Sequence, residues 1–588
     1  ILITTKRGSA GKAKVSYNGY VGWQRATDLP KLLHSADYAS LYNMALENDG
    51  LPKQYSDADI AKYASGSDRD NYPDTRWMDD LTKGSGLQQS HTLSVAGGTE
   101  SMKYMISLGY LEQQGITKRT SFSRYNTRIN LDGKVSELLS IGTNVALSYS
   151  QKKEPISPYT SNYTQIFRQA YRIPGTFVNK YSEAAGGGWG RHIDGNPVAW
   201  VEDGGLNQTN TPHVNGSAFA ELKIIEGLKI KGLAGIDYNF DDRKLHVVPV
   251  TYADGYVQGN TSVRDYMTRY LRTTLQAFIN YEKTIAKHHN IDAMLGVSRE
   301  KYDYKTNEAF RKNQPSNDLD QVNAGSAEGQ EALGDETNMR QGSVFGRLNY
   351  NYKEKYLLGV NIRHDGSSRF AQGRRWGTFP SVSAAWRISE EGFMEGLRPV
   401  ISNLKLRGSW GQLGNDRIAD YSYISRITLG QNYPFFGSYA EGAIQTVGSN
   451  AKITWETSTE LDLGIDIDLF KNKLSISADW YKRTTDDILT AVPVSQIYGL
   501  TAPTVNAGSM ENKGIELQVT HRNTIKDFSY QAGVNFSYNK NVVTKYPNPS
   551  KGSTIRQKGY AWDSYFGYES LGYYQTQEQV DNAPKITG

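Results

Sequence analysis

Acidic side chains at every second position are the strongest chemical pattern in this 588-residue chain. Over 460–470 it reads ELDLGIDIDLF, so Glu460, Asp462, Asp466 and Asp468 share one side of an extended backbone, with Gly464 among them. Clustered carboxylates can hold cations or exchange protons. Spread along a strand they converge on no single point. Asp462, Asp466 and Asp468 are therefore expected to line a wet channel and set its field rather than to bind a metal. Nine histidines are scattered; His288-His289 is an adjacent pair in a short link, and neighbours in a turn do not converge on one metal. Gly8 to Gly11, followed by Lys12, lacks the spacing of a phosphate loop. Gly408-Ser409-Trp410-Gly411 lacks the spacing of a nucleophile elbow. No catalytic constellation emerges, and neither an enzyme nor a cofactor is expected.

Aromatic loops offer a different chemistry. GGGWG at 186–190 precedes Arg191 and His192, with Tyr181 and Trp200 close by. A second run, Tyr433-Pro434-Phe435-Phe436, lies in another polar stretch. Rings beside polar groups bind sugars or peptides, and they also pack loops against each other. Tyr181, Trp189, His192, Trp200, Tyr433, Phe435 and Phe436 are the candidate ligand contacts.

The elements that must position these residues are strands. Opposite the acids, Leu461, Leu463, Ile465, Ile467 and Leu469 form a hydrocarbon face. Similar alternation recurs at 15–23, 104–110, 141–149, 358–363, 474–480 and 528–538. Roughly 17 or 18 such strands of about ten residues are expected, the length of a tilted membrane strand. Links at 96–101, 225–228, 352–356, 470–473 and 522–527 read as short. Those at 24–87, 151–213, 241–265, 302–340, 414–451, 484–510 and 541–561 read as long. Short turns on one rim and long loops on the other describe an all-β, large antiparallel transmembrane β-barrel. Within 24–87, Ser35 opens a helical run with Tyr38, Leu41, Tyr42 and Ala45 on one face. Ser56, with Asp59 three residues on, caps a second short helix.

Composition is compatible with this reading. Mean hydropathy is −0.60, and no run approaches the ~18–20 apolar residues of a membrane helix. A barrel escapes that test because only alternate residues face lipid. Forty tyrosines and ten tryptophans suit interfacial girdles. The absence of cysteine removes thiolate metal sites and disulfides, and a net charge of +5 gives no case for nucleic acid.

Several strings then resemble the SusC/RagA family of TonB-dependent outer-membrane transporters. ILITTKRG at 1–8 is similar to the last strand of that family's plug domain. RHDGSSRF at 363–370, GTFPSVSAAWRI at 377–388, LKLRGSWGQLGND at 404–416, 455–469 and NAGSMENKGIELQV at 506–519 follow in family order. The resemblance implies a barrel of about 22 strands plugged by an N-terminal domain, in the outer membrane of Bacteroidota-type Gram-negative bacteria. It implies a SusD-like lipoprotein as an external lid and TonB, with its inner-membrane motor complex, as the energy source. The cargo would be an oligosaccharide or a peptide. On this reading 1–10 ends the plug and 11–588 is barrel, with 24–87 a partly helical first external loop. Roughly four or five strands, the signal peptide and the TonB box would lie outside the sequence. Such a fragment is expected neither to insert nor to transport alone, because unpaired strand edges are costly in lipid. A siderophore or cobalamin receptor would share plug and barrel. A passive porin or adhesive barrel would lack the plug strand.

Overall fold

The computed structural model describes residues 6–158, 163–547 and 552–584. Among the described residues, seventeen long strands belong to one antiparallel sheet. Two compact units are distinguished, Ile1–Ala277 with Ser298–Arg340, and Phe278–Val297 with Gln341–Gly588.

In the first unit the Gly11–Gln24, Gly86–Gly98, Met102–Gln114, Ser121–Lys134 and Leu139–Pro155 strands pair in chain order, followed by Gly205–Ile225 and Leu228–Val247. In the second, Tyr356–Ser367, Trp376–Arg387, Ile401–Asn415, Glu456–Leu469, Leu474–Asp486, Ser509–Ile525 and Phe528–Lys545 do the same. Turns of two to four residues, such as 226–227, 470–473 and 526–527, close one end of most of these hairpins; the exception is 388–400, between Trp376–Arg387 and Ile401–Asn415, which carries two short 3-10 turns. The expected sorting of connections is present, but many strands run further than the alternation indicates. Gly205–Ile225 has 21 residues and Leu228–Val247 has 20, about twice a lipid crossing. Their outer halves remain hydrogen-bonded where polar side chains interrupt the apolar alternation, as at 207–213 and 239–244, so the hydropathy pattern fades there.

Burial is inverted relative to a water-soluble sheet. Leu463 is 51% exposed and Val534 is 70% exposed, as are Leu108, Ile236, Leu275, Val382, Leu406 and Ile515 to lesser or similar degrees. Around Leu463 the polar neighbours on the opposite face, Asp462 and Asp466, are half-buried and bonded to Arg407. An uninterrupted apolar face of this extent belongs against lipid.

The loops build conventional cores of their own. In the first unit, helices α1 (Ser35–Asn48), α2 (Asp57–Ser65), α3 (Trp77–Leu81), α4 (Thr164–Arg172) and α5 (Pro197–Asp203) fill the two longest connections. Trp77, Leu81, Ile166, Ile173, Trp200 and Val250 form the buried centre. The α2 cap is reciprocal: Ser56 Oγ accepts from the Asp59 amide at 3.1 Å, and Asp59 accepts from the Ser56 amide at 3.2 Å. Helix α1 has the expected span but the opposite face inward. Ser35, Ala39 and Asn43 are buried, while Leu41, Tyr42 and Met44 are exposed. Hydrogen bonds override apolar patterning here. Asn43 donates to the Tyr55 carbonyl at 2.7 Å and accepts from the Gln54 and Tyr55 amides at 3.0 Å each.

In the second unit the strings RHDGSSRF, GTFPSVS and LKLRGSWGQLGND meet in space. Phe370, Phe379, Ile453 and Trp455 pack together. Gly377 and Gly414 leave room for Phe379, whose ring lies within 2.5 Å of where either Cβ would stand. Asp416 accepts from Ser367 Oγ at 2.7 Å and Gln341 Nε2 at 2.8 Å. These strings are thus scaffold for loop bases.

Candidate functional site: a charged wall and two aromatic loops

The acidic strand Glu456–Leu469 pairs with Ile401–Asn415 on one side and Leu474–Asp486 on the other. The register opposes Leu406 to Ile465 and Leu463 to Trp480 on the apolar face, and Lys405 to Asp466 and Gly464 to Asp479 on the polar face. Arg407 is the centre of that polar face. Its Nε donates to Asp466 at 3.2 Å, Nη1 to Asp462 at 3.3 Å, and Nη2 to Asp479 at 2.7 Å and Ser477 at 3.3 Å. One guanidinium fork thus bridges three carboxylates on two neighbouring strands, a geometry a lysine could not supply. Gly464 makes the arrangement possible. A Cβ there would stand 2.5 Å from both Arg407 Cζ and Asp479 Oδ1. Asp468 lies outside the fork and is held by Asn403 Nδ2 at 3.1 Å and Ser475 Oγ at 2.6 Å. Glu460 pairs with Arg483.

Arg407 and Asp479 were absent from the sequence-based candidates. A signal for them exists: LKLRG places Lys405 and Arg407 on the polar face of the preceding long strand, opposite the acids.

The 181–200 segment is a folded loop in the first unit. Gly186 and Gly187 have φ of 98° and 68°, and a Cβ at Gly190 would lie 2.0 Å from the Val178 carbonyl oxygen. Only glycine fits such a turn. Tyr181 is half-buried, and its amide donates to the Gly188 carbonyl at 2.9 Å. Trp189 is also half-buried. Its Nε1 donates to Asp203 at 2.6 Å and its ring lies 5.1 Å from Lys180 Nζ. His192 packs edge-on against Phe177 at 4.7 Å, and burial holds its imidazole below the usual histidine range.

Trp200 does not belong with an accessible ligand surface. It is 3% exposed inside the helical core, and its Nε1 donates to Gln258 at 2.7 Å. Helix α5 puts it there. Asn196 caps the helix by accepting from the Val198 and Ala199 amides, with Pro197 in the first turn and Trp200 turned inward. The string NPVAW carries that cap signal, which was available from sequence.

The second aromatic run, in the second unit, forms a small ribbon. Tyr433–Phe435 pairs with Ser438–Ala440 around a turn at Phe436-Gly437. Tyr433 and Phe435 share one face at 5.0 Å, while Tyr439 stands on the other. All are open to solvent, and Phe436 at the tip is fully exposed with φ of 49°.

At the start of the described residues, Arg7 Nη1 reaches Asp132 at 2.8 Å and the Lys6 carbonyl accepts from Asn130 at 2.6 Å. Gly8 runs so close to the Tyr104 backbone that a Cβ would stand 2.3 Å from its carbonyl oxygen. Residues 1–5 of the ILITTKRG string lie outside the described residues.

Comparison with known proteins defines the class. Residues 6–587 match the family described as TonB dependent receptor-like, beta-barrel, and the chain belongs to that family of outer-membrane β-barrel proteins. Among curated relatives, it is 28% identical to the TonB-dependent receptor P39 of Formosa agariphila over 98% of this chain and 54% of that protein. It is 26% identical to the TonB-dependent receptor SusC of Bacteroides thetaiotaomicron over 99% of this chain and 59% of that protein. A solved structure of the RagAB peptide transporter superposes with a TM-score of 0.78 at 21% identity, covering 95% of this chain and 65% of that one. The chain is therefore of the SusC/RagA type. It spans between 54% and 60% of the length of the curated relatives it matches.

Proposed function

We propose that this chain is the barrel portion of a transporter that imports oligosaccharides or peptides across the outer membrane, driven by TonB and its inner-membrane motor complex. A SusD-like surface lipoprotein is its partner, capping the end from which the long loops project. On this reading 1–10 ends a plug domain and 11–588 is barrel; Arg7 and Gly8 fasten the junction against the polar side of the strands. No catalysis and no cofactor enter the proposal.

The observation that carries it is the two-faced sheet in a chain of this family. The apolar face meets lipid. The polar face, with Asp462, Asp466 and Asp468 among its residues, lines a water-filled passage. Because Arg407 and its neighbours compensate the acids, that passage would not hold cations tightly, which suits the movement of large neutral cargo. Cargo capture falls to the accessible aromatics Tyr433, Phe435 and Phe436, with Tyr181, Trp189 and His192 contributing from the other loop.

The test is uptake of fluorescent glycan and peptide pools by cells carrying the full receptor. Uptake should stop when the proton gradient is dissipated and fall when the lipoprotein gene is deleted. Uptake that is insensitive to the gradient would identify a passive pore instead.

A further inference from the structure

The polar face of the first unit holds a concavity of about 520 Å³ at the long-loop end of its strands. It is formed where Leu139–Pro155, Gly205–Ile225, Leu228–Val247 and Ser262–Ile285 each contribute side chains. Three features of its lining bear on what fits there.

The first is aromatic. Tyr266 and Tyr270, four residues apart on one strand, share a face with Thr268 between them. Tyr270 is 46% exposed, and its ring lies 5.0 Å from Tyr304 on the neighbouring strand. Tyr266 is braced by Arg243, whose guanidinium lies 5.2 Å from the ring centre. Arg243 thus covers one face of the half-buried Tyr266, and Tyr270 is the more open ring.

The second is charge. Lys152 and Arg243 are matched by Glu154 and Asp241, so the lining sums to zero. Lys152 pairs with Glu154 at 2.8 Å, Arg243 donates to Asn207 at 3.0 Å, and Asp241 accepts from Thr211 at 2.7 Å. A ligand of either sign would meet no net countercharge here.

The third is the scarcity of grease. Among the described residues the ten lining side chains are polar or aromatic, with no aliphatic residue among them. A peptide bound for its side chains seeks apolar pockets, and one bound for its backbone seeks an open strand edge. This wall provides neither, since the strands that form it are paired in the sheet.

From these three features we infer that the concavity is a binding site for a neutral oligosaccharide. Its C–H faces stack on Tyr266 and Tyr270, and its hydroxyls meet Asn207, Thr209, Asp241, Arg243 and Thr268. Fixed side chains that donate and accept in pairs suit adjacent hydroxyls, which do both. The inference rests on the import reading and narrows its cargo from glycan or peptide to glycan.

The experiment is equilibrium binding to the full receptor in outer-membrane vesicles, without a proton gradient. The probes are neutral hexasaccharides of glucose, xylose and mannose, a hexamer of galacturonate, and a mixture of uncharged octapeptides. At least one neutral hexasaccharide should bind. Tyr270→Ala should weaken it by about tenfold, and Tyr270→Phe, which keeps the ring, should stay within about threefold. Thr268→Arg, which fills the concavity, is a second variant; heat-modifiable migration on gels checks that every variant assembles. The inference is overturned if no neutral hexasaccharide binds, if Tyr270→Ala and Thr268→Arg both bind it as the parent does, or if galacturonate or the peptides bind more tightly and lose affinity in Tyr270→Ala. Sugar binding that persists in vesicles while cellular uptake ignores the proton gradient would remove the import reading and leave the site standing.

Discussion

The loop at 181–200 and the ribbon at 433–440 are alike in sequence: each mixes rings, glycine and a proline in a long polar connection. Their structures are opposite. In the first, Trp200 sits under a capped helix among Trp77, Ile166 and Val201, and Trp189 is tied by its indole N–H to Asp203. In the second, the rings cover both faces and the tip of a two-stranded ribbon and are open to solvent. The difference teaches that aromatic content does not identify a contact surface. A ring with a bonded polar edge and neighbours on every side stabilises its loop. A ring with neither is available to something outside the chain.

The largest expected effect separates the two regions by stability. Trp200→Ala should cost about 3–5 kcal/mol, the usual loss for a buried tryptophan, and should expose the 164–203 segment to protease in intact membranes. Phe435→Ala, in the ribbon, should leave that protease pattern unchanged while lowering ligand or lid binding. If Trp200→Ala were as silent as Phe435→Ala, the contrast would collapse.

A smaller effect is expected at the helix cap. Asn196→Ala removes two accepted bonds, and the side chain also donates to the Asn179 and Gly190 carbonyls at 2.8 and 3.0 Å. A cost of about 1–2 kcal/mol should appear as faster hydrogen exchange over 197–204, with Asn196→Asp recovering part of it.

Acidification should then loosen the 181–200 loop. Burial lowers the His192 pKa in the fold, despite Asp194 pulling it up and with Arg172 adding to the depression. The unfolded loop therefore binds the proton more readily, so stability is lost as pH falls through the ordinary histidine range near 6.5. Asp254, whose pKa is lowered chiefly by its bond from Arg191, acts in the same direction at lower pH. Amide protection at 188–196, corrected for the intrinsic slowing of exchange in acid, should fall between about pH 7.5 and 5.5, and His192→Gln should remove that step; an unchanged step in His192→Gln would assign it elsewhere.

The smallest effect concerns Phe436. Its φ of 49° is unfavourable for a residue with a Cβ. Phe436→Gly should steady the ribbon by up to about 1 kcal/mol while weakening capture of ligand or lid. A stability gain without a binding loss would make the exposed ring incidental.

Much of this was legible in the sequence. Two helices in the first loop, the alternating strands and the sorting of short and long links follow from local patterns, and the structure has them. The two faces of 456–469 follow from its alternation alone. Three things did not, each because a tertiary contact overrides the local pattern. Strands continue past their apolar stretches because paired backbone needs no hydrophobic face. Helix α1 turns its apolar side outward because Asn43 is bonded to the 54–55 backbone. Trp200 is buried because segments 123 positions before it, at Trp77, and 50 positions after it, at Val250, close over it. Arg407 lies between these cases: its face was readable, but its role depends on strand register.

The vacancy at Gly464 has a consequence of its own. A row of bare carboxylates behaves as an ion-exchange resin, gathering counter-cations and gripping any basic group that passes. With the Arg407 guanidinium seated against Gly464, the same row approaches a zwitterionic coating, the kind of surface to which solutes adhere poorly. One methyl group added at Gly464 would unseat that cation and, in the proposed passage, turn a low-friction wall into an adsorbent one.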